Sequence, residues 1–83
     1  MEEKTIKATR YNVLDVRELA FADNSQCIIL ICKEWEHVRR RRIVVWDDNE
    51  KAFDDAKMLV PGDIILVHES ICGFTSTIEE IEC

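Results

Sequence analysis

The six residues Cys27-Ile28-Ile29-Leu30-Ile31-Cys32 form the longest uninterrupted apolar run in this sequence. That is far short of the roughly 20 residues a membrane helix needs. The run is short, largely β-branched and bounded by polar residues, so it reads as a strand that is apolar on both faces. A chain whose strongest hydrophobic signal is a strand of this length must build its core from several such pieces. Two more follow, Ile43-Val44-Val45-Trp46 and Ile64-Ile65-Leu66-Val67. Between them Ala52, Phe53, Ala56 and Leu59 recur at helical spacing, forming the apolar stripe of a short helix near residues 49–59. Asp47-Asp48-Asn49 offers a cap for that helix, and Pro61-Gly62 ends it.

The rest fits around these anchors. Residues 5–20 read as a long bent strand, although Val13, Leu14, Val16 and Leu19 also fit a helical stripe. Ala22–Ser25 is a turn, residues 33–41 a charged hairpin connection, and Glu69–Ser76 a loop. Thr77–Glu82 alternates loosely and suits a closing edge strand whose charges discourage aggregation. The predicted order is strand, strand, strand, helix, strand, strand, in a single domain spanning residues 1–83. With 83 residues the core is thin. Its expected members are Ile28 or Ile29, Leu30 or Ile31, Val45, Phe53, Leu59, Ile65 and Val67, the second strand leaving its parity open.

This element order, with Arg42–Asp47, Ala52-Phe53 and Leu59–Val67, resembles OB domains of the replication protein A and telomere-capping kind. The resemblance implies an all-β fold, a small five-stranded Greek-key barrel with one short helix between strands three and four, and it implies that Trp46 packs under that helix against residues such as Phe53. The string Pro61–Val67 is also shared with the actuator domain of P-type ATPases. The rest of that machinery does not fit in 83 residues, and no membrane helix is present.

Charge is unevenly spread. Residues 1–32 carry five acids and four bases, residues 33–42 two acids and five bases, and residues 43–83 ten acids and two bases. A single basic island, Lys33 to Arg42, therefore sits in a chain of net charge −6. Arginines can follow a phosphate backbone and an aromatic can stack on a base. Lys33, Trp35, Arg40 and Arg42 are thus candidate nucleic-acid contacts. The competing account is a solvated hairpin whose arginines pair with the acidic half of the same protein, or a nuclear-import patch. Alternation sets Arg40 and Arg42 on one strand face, with Arg39 and Arg41 on the other. Tyr11 and Phe74 lie where the resemblance implies stacking aromatics, and each also suits barrel filling.

No catalysis is expected. His37 and His68 lack a nucleophile at meaningful spacing, Ser70 has no glycine-rich elbow, and the chain holds two glycines in all, too few for a phosphate loop. Asp47, Asp48, Asp54 and Asp55 suit helix capping and solvation better than metal binding. Cys27 and Cys32, five residues apart on a strand, point to opposite faces and make a poor metal pair. No cofactor or metal is expected. The N-terminus carries no export signal, so reduced cysteines in the cytosol or nucleus are the natural reading.

Two functions fit. One is a non-catalytic interaction subunit of a single-stranded DNA-binding complex in replication, repair or telomere maintenance. It would dock on protein partners or self-associate through an apolar patch supplied by the doubly apolar second strand, with its Cys27 and Cys32, and by the C-terminal segment around Ile78 and Ile81. The other is a direct binder of single-stranded DNA or RNA through the basic hairpin. The acidic balance of residues 43–83 repels polyanions and favours the first.

Overall fold

The structure is a computed structural model and describes residues 5–83. Five strands and one helix follow in the predicted order: β1 Thr5–Ala20, β2 Gln26–Glu34, β3 Arg40–Trp46, α1 Glu50–Lys57, β4 Ile64–Cys72 and β5 Thr75–Glu82. All neighbours are antiparallel, in one sheet of order β3-β2-β1-β4-β5. β3 and β5 are its two edges, and no backbone ladder joins them among the described residues. The sheet is therefore open where closure would make a barrel.

β1 serves two partners. Residues Thr5–Asn12 pair with β4, and Tyr11–Ala20 pair with β2. A register shift between Val13 and Asp15 bends it at the crossover. The bend is pinned by the turn before β4. Gly62 N donates to Val13 O and Val13 N donates to Asp63 O, each at 2.8 Å. Gly62 has φ +102°, a conformation that suits glycine.

The inner face carries the core. Tyr11, Val13, Ile28, Leu30, Cys32, Ile43, Val45, Ile65, Val67 and Ile81 are buried there against Ala52, Phe53, Ala56 and Leu59. This resolves the parity of β2: Ile28 and Leu30 face in, while Ile29 and Ile31 are only partly covered on the outer side. The helix begins at an Asn49 cap, whose side chain accepts from Ala52 N at 3.2 Å. The same side chain reaches across to β5 and donates to Ile78 O at 3.0 Å and Glu79 O at 3.3 Å. One residue thus ends the free turn of α1 and ties it to an edge strand.

Three expectations are corrected. The connection after β2 is only Trp35–Arg39, because Lys33-Glu34 extend β2 and Arg40–Arg42 open β3. The Glu69–Ser76 loop is mostly strand: β4 runs to Cys72, and Gly73-Phe74 form a tight turn before Thr75. Trp46 does not lie under the helix. It remains 45% exposed and stacks obliquely on Phe21, their centroids 5.7 Å apart.

Candidate functional site

Strand alternation divides the four arginines. On β3, Ile43 and Val45 are buried, so Arg41 shares their inward side while Arg40, Arg42, Val44 and Trp46 face out. Pairing with β2 places Lys33 opposite Arg40, Ile31 opposite Arg42 and Ile29 opposite Val44. Beyond β2 the register adds Asn12, Asp15 and Arg17 of β1 to the same outer surface. The result is a face with a basic end at Lys33, Arg40 and Arg42 and a half-covered aliphatic centre at Ile29, Ile31 and Val44.

The cations differ in how they are satisfied. Arg41 Nη1 donates to the Tyr11 hydroxyl at 2.7 Å, and Nη2 contacts the carboxylate of Glu69, which is only 4% exposed. Burial opposes charge on this guanidinium, but the hydrogen bonds and charges of Glu69 and Tyr11 outweigh it and raise its pKa above the ordinary arginine value. Arg17 pairs with Asp15 at 3.0 Å and Lys51 with Glu80 at 2.9 Å. Lys33, Arg40 and Arg42 have no carboxylate within ion-pairing distance among the described residues. Neutralisation by the acidic half of the chain therefore holds for Arg41 and not for its two neighbours.

The remaining candidates separate. Tyr11 is 3% exposed with its hydroxyl held by Arg41, so it fills the interior and is not free to stack on a ligand. Trp35 is partly exposed at the turn after β2, where its backbone N–H donates to Arg10 O at 2.9 Å. It lines a shallow cavity of about 350 Å³ with Asn12, Lys33, Glu34 and Glu36, next to the basic end. Phe74 is fully exposed at the β4–β5 turn, two residues from Ser76. Ser76 lines a cleft of about 380 Å³ between the open edges of β3 and β5, which it shares with Arg42 and Trp46. The structure thus gathers Lys33, Trp35, Arg40 and Arg42, sets Phe74 at a separate turn, and removes Tyr11.

The aromatic pair Phe21 and Trp46 was missed as a site feature. With Val45 facing in, strict alternation already directs Trp46 outward. Nothing in the sequence marks Phe21 as its partner.

The cysteines form no disulfide. Cys32 lies in the core and Cys27 is buried outside the core cluster, in keeping with opposite strand faces. Among the described residues one His–carboxylate group exists: the ligand atoms of His68, Glu80 and Glu82 lie within 4.8 Å of one another. One of its acids already has a counter-charge. Lys51 holds Glu80, and His68 Nε2 stands 3.4 Å from Glu82 Oε2.

No helix among the described residues is long and apolar enough to cross a membrane. No family model matches the chain, and neither the curated proteins nor the solved structures give a match.

Proposed function

We propose that this chain is a non-catalytic OB-type module that binds a short single-stranded nucleic acid across the outer face of β2 and β3. The observation that carries this reading is the trio Lys33, Arg40 and Arg42, exposed on adjacent strands with no ion-pair partner among the described residues. Three cations so placed, beside an aliphatic surface that tolerates bases, suit a phosphate backbone and its unpaired bases. The element order supports a barrel-type fold whose sheet stays open at the β3–β5 cleft.

The assembly role favoured by the sequence loses part of its support. Cys27, Cys32 and Ile81 are buried and Ile78 packs against the core, while Ile29 and Ile31 on the outer side of β2 stay half-covered, so only part of the apolar patch it relied on remains. What still favours that second reading is the pair of open edges, since an unpaired strand edge can accept a partner strand.

A labelled oligothymidylate titration at two salt concentrations tests the choice. Three neutralised phosphates predict that log affinity falls with log salt at a slope of about −2, so tenfold more salt weakens binding roughly 100-fold. Arg40→Ala with Arg42→Ala should reduce the slope by about 1.4. Absence of binding at low salt by a protein that dimerises or captures a partner strand would move the function to the assembly role.

A further inference from the structure

The basic end accounts for phosphates but leaves the other end of the same face unexplained. There Trp46 closes β3 and Phe21 follows β1, both 45% exposed and in tilted contact at 31°. We propose that Phe21 and Trp46 form a base-stacking platform, so that the ligand lies with its phosphates over Lys33, Arg40 and Arg42 and an unpaired base against the two rings. This rests on the nucleic-acid reading above and specifies how the strand is oriented on it.

Geometry and electrostatics both point this way. Trp46 lies on the same strand side as Arg40 and Arg42, at alternate positions of β3. At about 3.3 Å per residue the face from Arg40 to Trp46 runs about 20 Å, suited to the small end of the 4–16-nucleotide footprints of single barrels. The aromatic end is ringed by acids: Asp23 in the turn after Phe21, and Asp47 and Asp48 after Trp46. Those carboxylates repel phosphate but not the face of a base, so a strand lying along the surface would be held by phosphates at one end and by a base several nucleotides away at the other. Duplex DNA presents phosphates without free base faces and would satisfy only one end.

The platform is also held in place before any ligand arrives. Phe21 N donates to Ser25 O at 2.9 Å, and Asn24 N donates to Phe21 O at 3.0 Å. Asp23 accepts from Ser25 N at 3.0 Å, and these contacts with Ser25 hold its carboxyl below the usual range. Across the gap, Gln26 N donates to the Asp47 carboxylate at 3.0 Å while Asp47 N donates to Gln26 O at 3.1 Å. These bonds lock together the turn that carries Phe21 and the strand end that carries Trp46. A base would therefore meet aromatics whose backbone is already ordered.

The test compares labelled oligothymidylate, the same length of abasic strand, and duplex, each against the parent protein, Phe21→Ala, Trp46→Ala and Trp46→Phe. The expected result is about ten- to a hundredfold weaker binding by Trp46→Ala, an unchanged salt slope, and substantial recovery with Trp46→Phe. Abasic strand and duplex should bind the parent about as weakly as oligothymidylate binds Trp46→Ala. Because Trp46 also neighbours buried Cys27 in the β2–β3 register, thermal melts check each variant. If a variant fails to fold, the abasic comparison on the parent decides. Salt-dependent binding by the parent that ignores both the abasic change and the aromatic substitutions would overturn the platform and leave the phosphate reading intact. No binding to any strand at low salt would overturn the phosphate reading and the platform with it.

Discussion

At the residue scale the fold's most exacting position is Glu69. A carboxylate this buried is tolerated because Arg41 of β3 reaches it through the interior, with Tyr11 of β1 hydrogen-bonded to the same guanidinium. Removing one partner strands the other. Arg41→Ala should cost about 3 kcal/mol in a urea melt, the lower end for a buried pair, since the guanidinium reaches solvent. The double replacement Arg41→Met with Glu69→Leu should cost clearly less. A double loss equal to the sum of the separate Arg41→Met and Glu69→Leu losses would show that the pair is not coupled. Cys32 makes a second residue-scale prediction. Burial pushes its thiol from 9.0 up to about 11, against a smaller opposing pull from Arg41. In the unfolded chain the thiol ionises near 9, so the folded state holds its proton longer. Stability should therefore be unaffected below pH 9 and fall between pH 9 and 11, by at most about 3 kcal/mol. Native protein treated with a thiol reagent at pH 8 should react at exposed Cys83 and spare Cys32. Rapid labelling of Cys32 under those conditions would contradict its place in the core.

At the element scale the short helix depends on its first residue outside. Asn49 both caps α1 and donates to two carbonyls of β5. Asn49→Ala should cost about 2 kcal/mol, about half from the cap and half from the lost bridge. Asn49→Asp separates the two roles, since it keeps a good cap acceptor but turns a carboxylate toward the carbonyls of Ile78 and Glu79. It should still destabilise by about 1 kcal/mol, a shift of several degrees in melting temperature. A neutral Asn49→Asp would mean that the bridge contributes nothing. The helix itself was legible, because Ala52, Phe53, Ala56 and Leu59 keep a period no strand shares, and all four are buried. β1 was legible as a long bent strand, though not its bulge. The extent of β4 was hidden. Glu69 and Ser70 look like loop residues until Arg41, distant in sequence, is known to neutralise one of them. The parity of β2 was hidden for another reason: with isoleucine or leucine at Ile28, Ile29, Leu30 and Ile31, only the neighbouring strands decide which pair faces in.

At the scale of the whole molecule, composition misled about surface. The net charge of −6 is a sum over the chain, whereas on the outer face of β2 and β3 Lys33, Arg40 and Arg42 have no carboxylate within ion-pairing distance among the described residues. Phe53→Ala tests how much the thin core can lose. Phe53 is 6% exposed, and the change should cost about 3–5 kcal/mol, close to the whole stability of so small a domain. A melt within a few degrees of the parent would place Phe53 outside the core. The two-partner strand has a further consequence, in time. The β1–β2 ladder joins nearby residues and can form as a hairpin. The β1–β4 ladder joins Thr5 to Ile71 and Asn12 to Ile64, so its loop spans most of the chain. Such closure is slow, and refolding is expected in milliseconds to seconds rather than microseconds. During synthesis at about 5–20 residues per second, Thr5–Asn12 waits several seconds for its partner. Until β4 is made, that half of β1 is an unpaired edge through which a nascent chain can mispair with its neighbours.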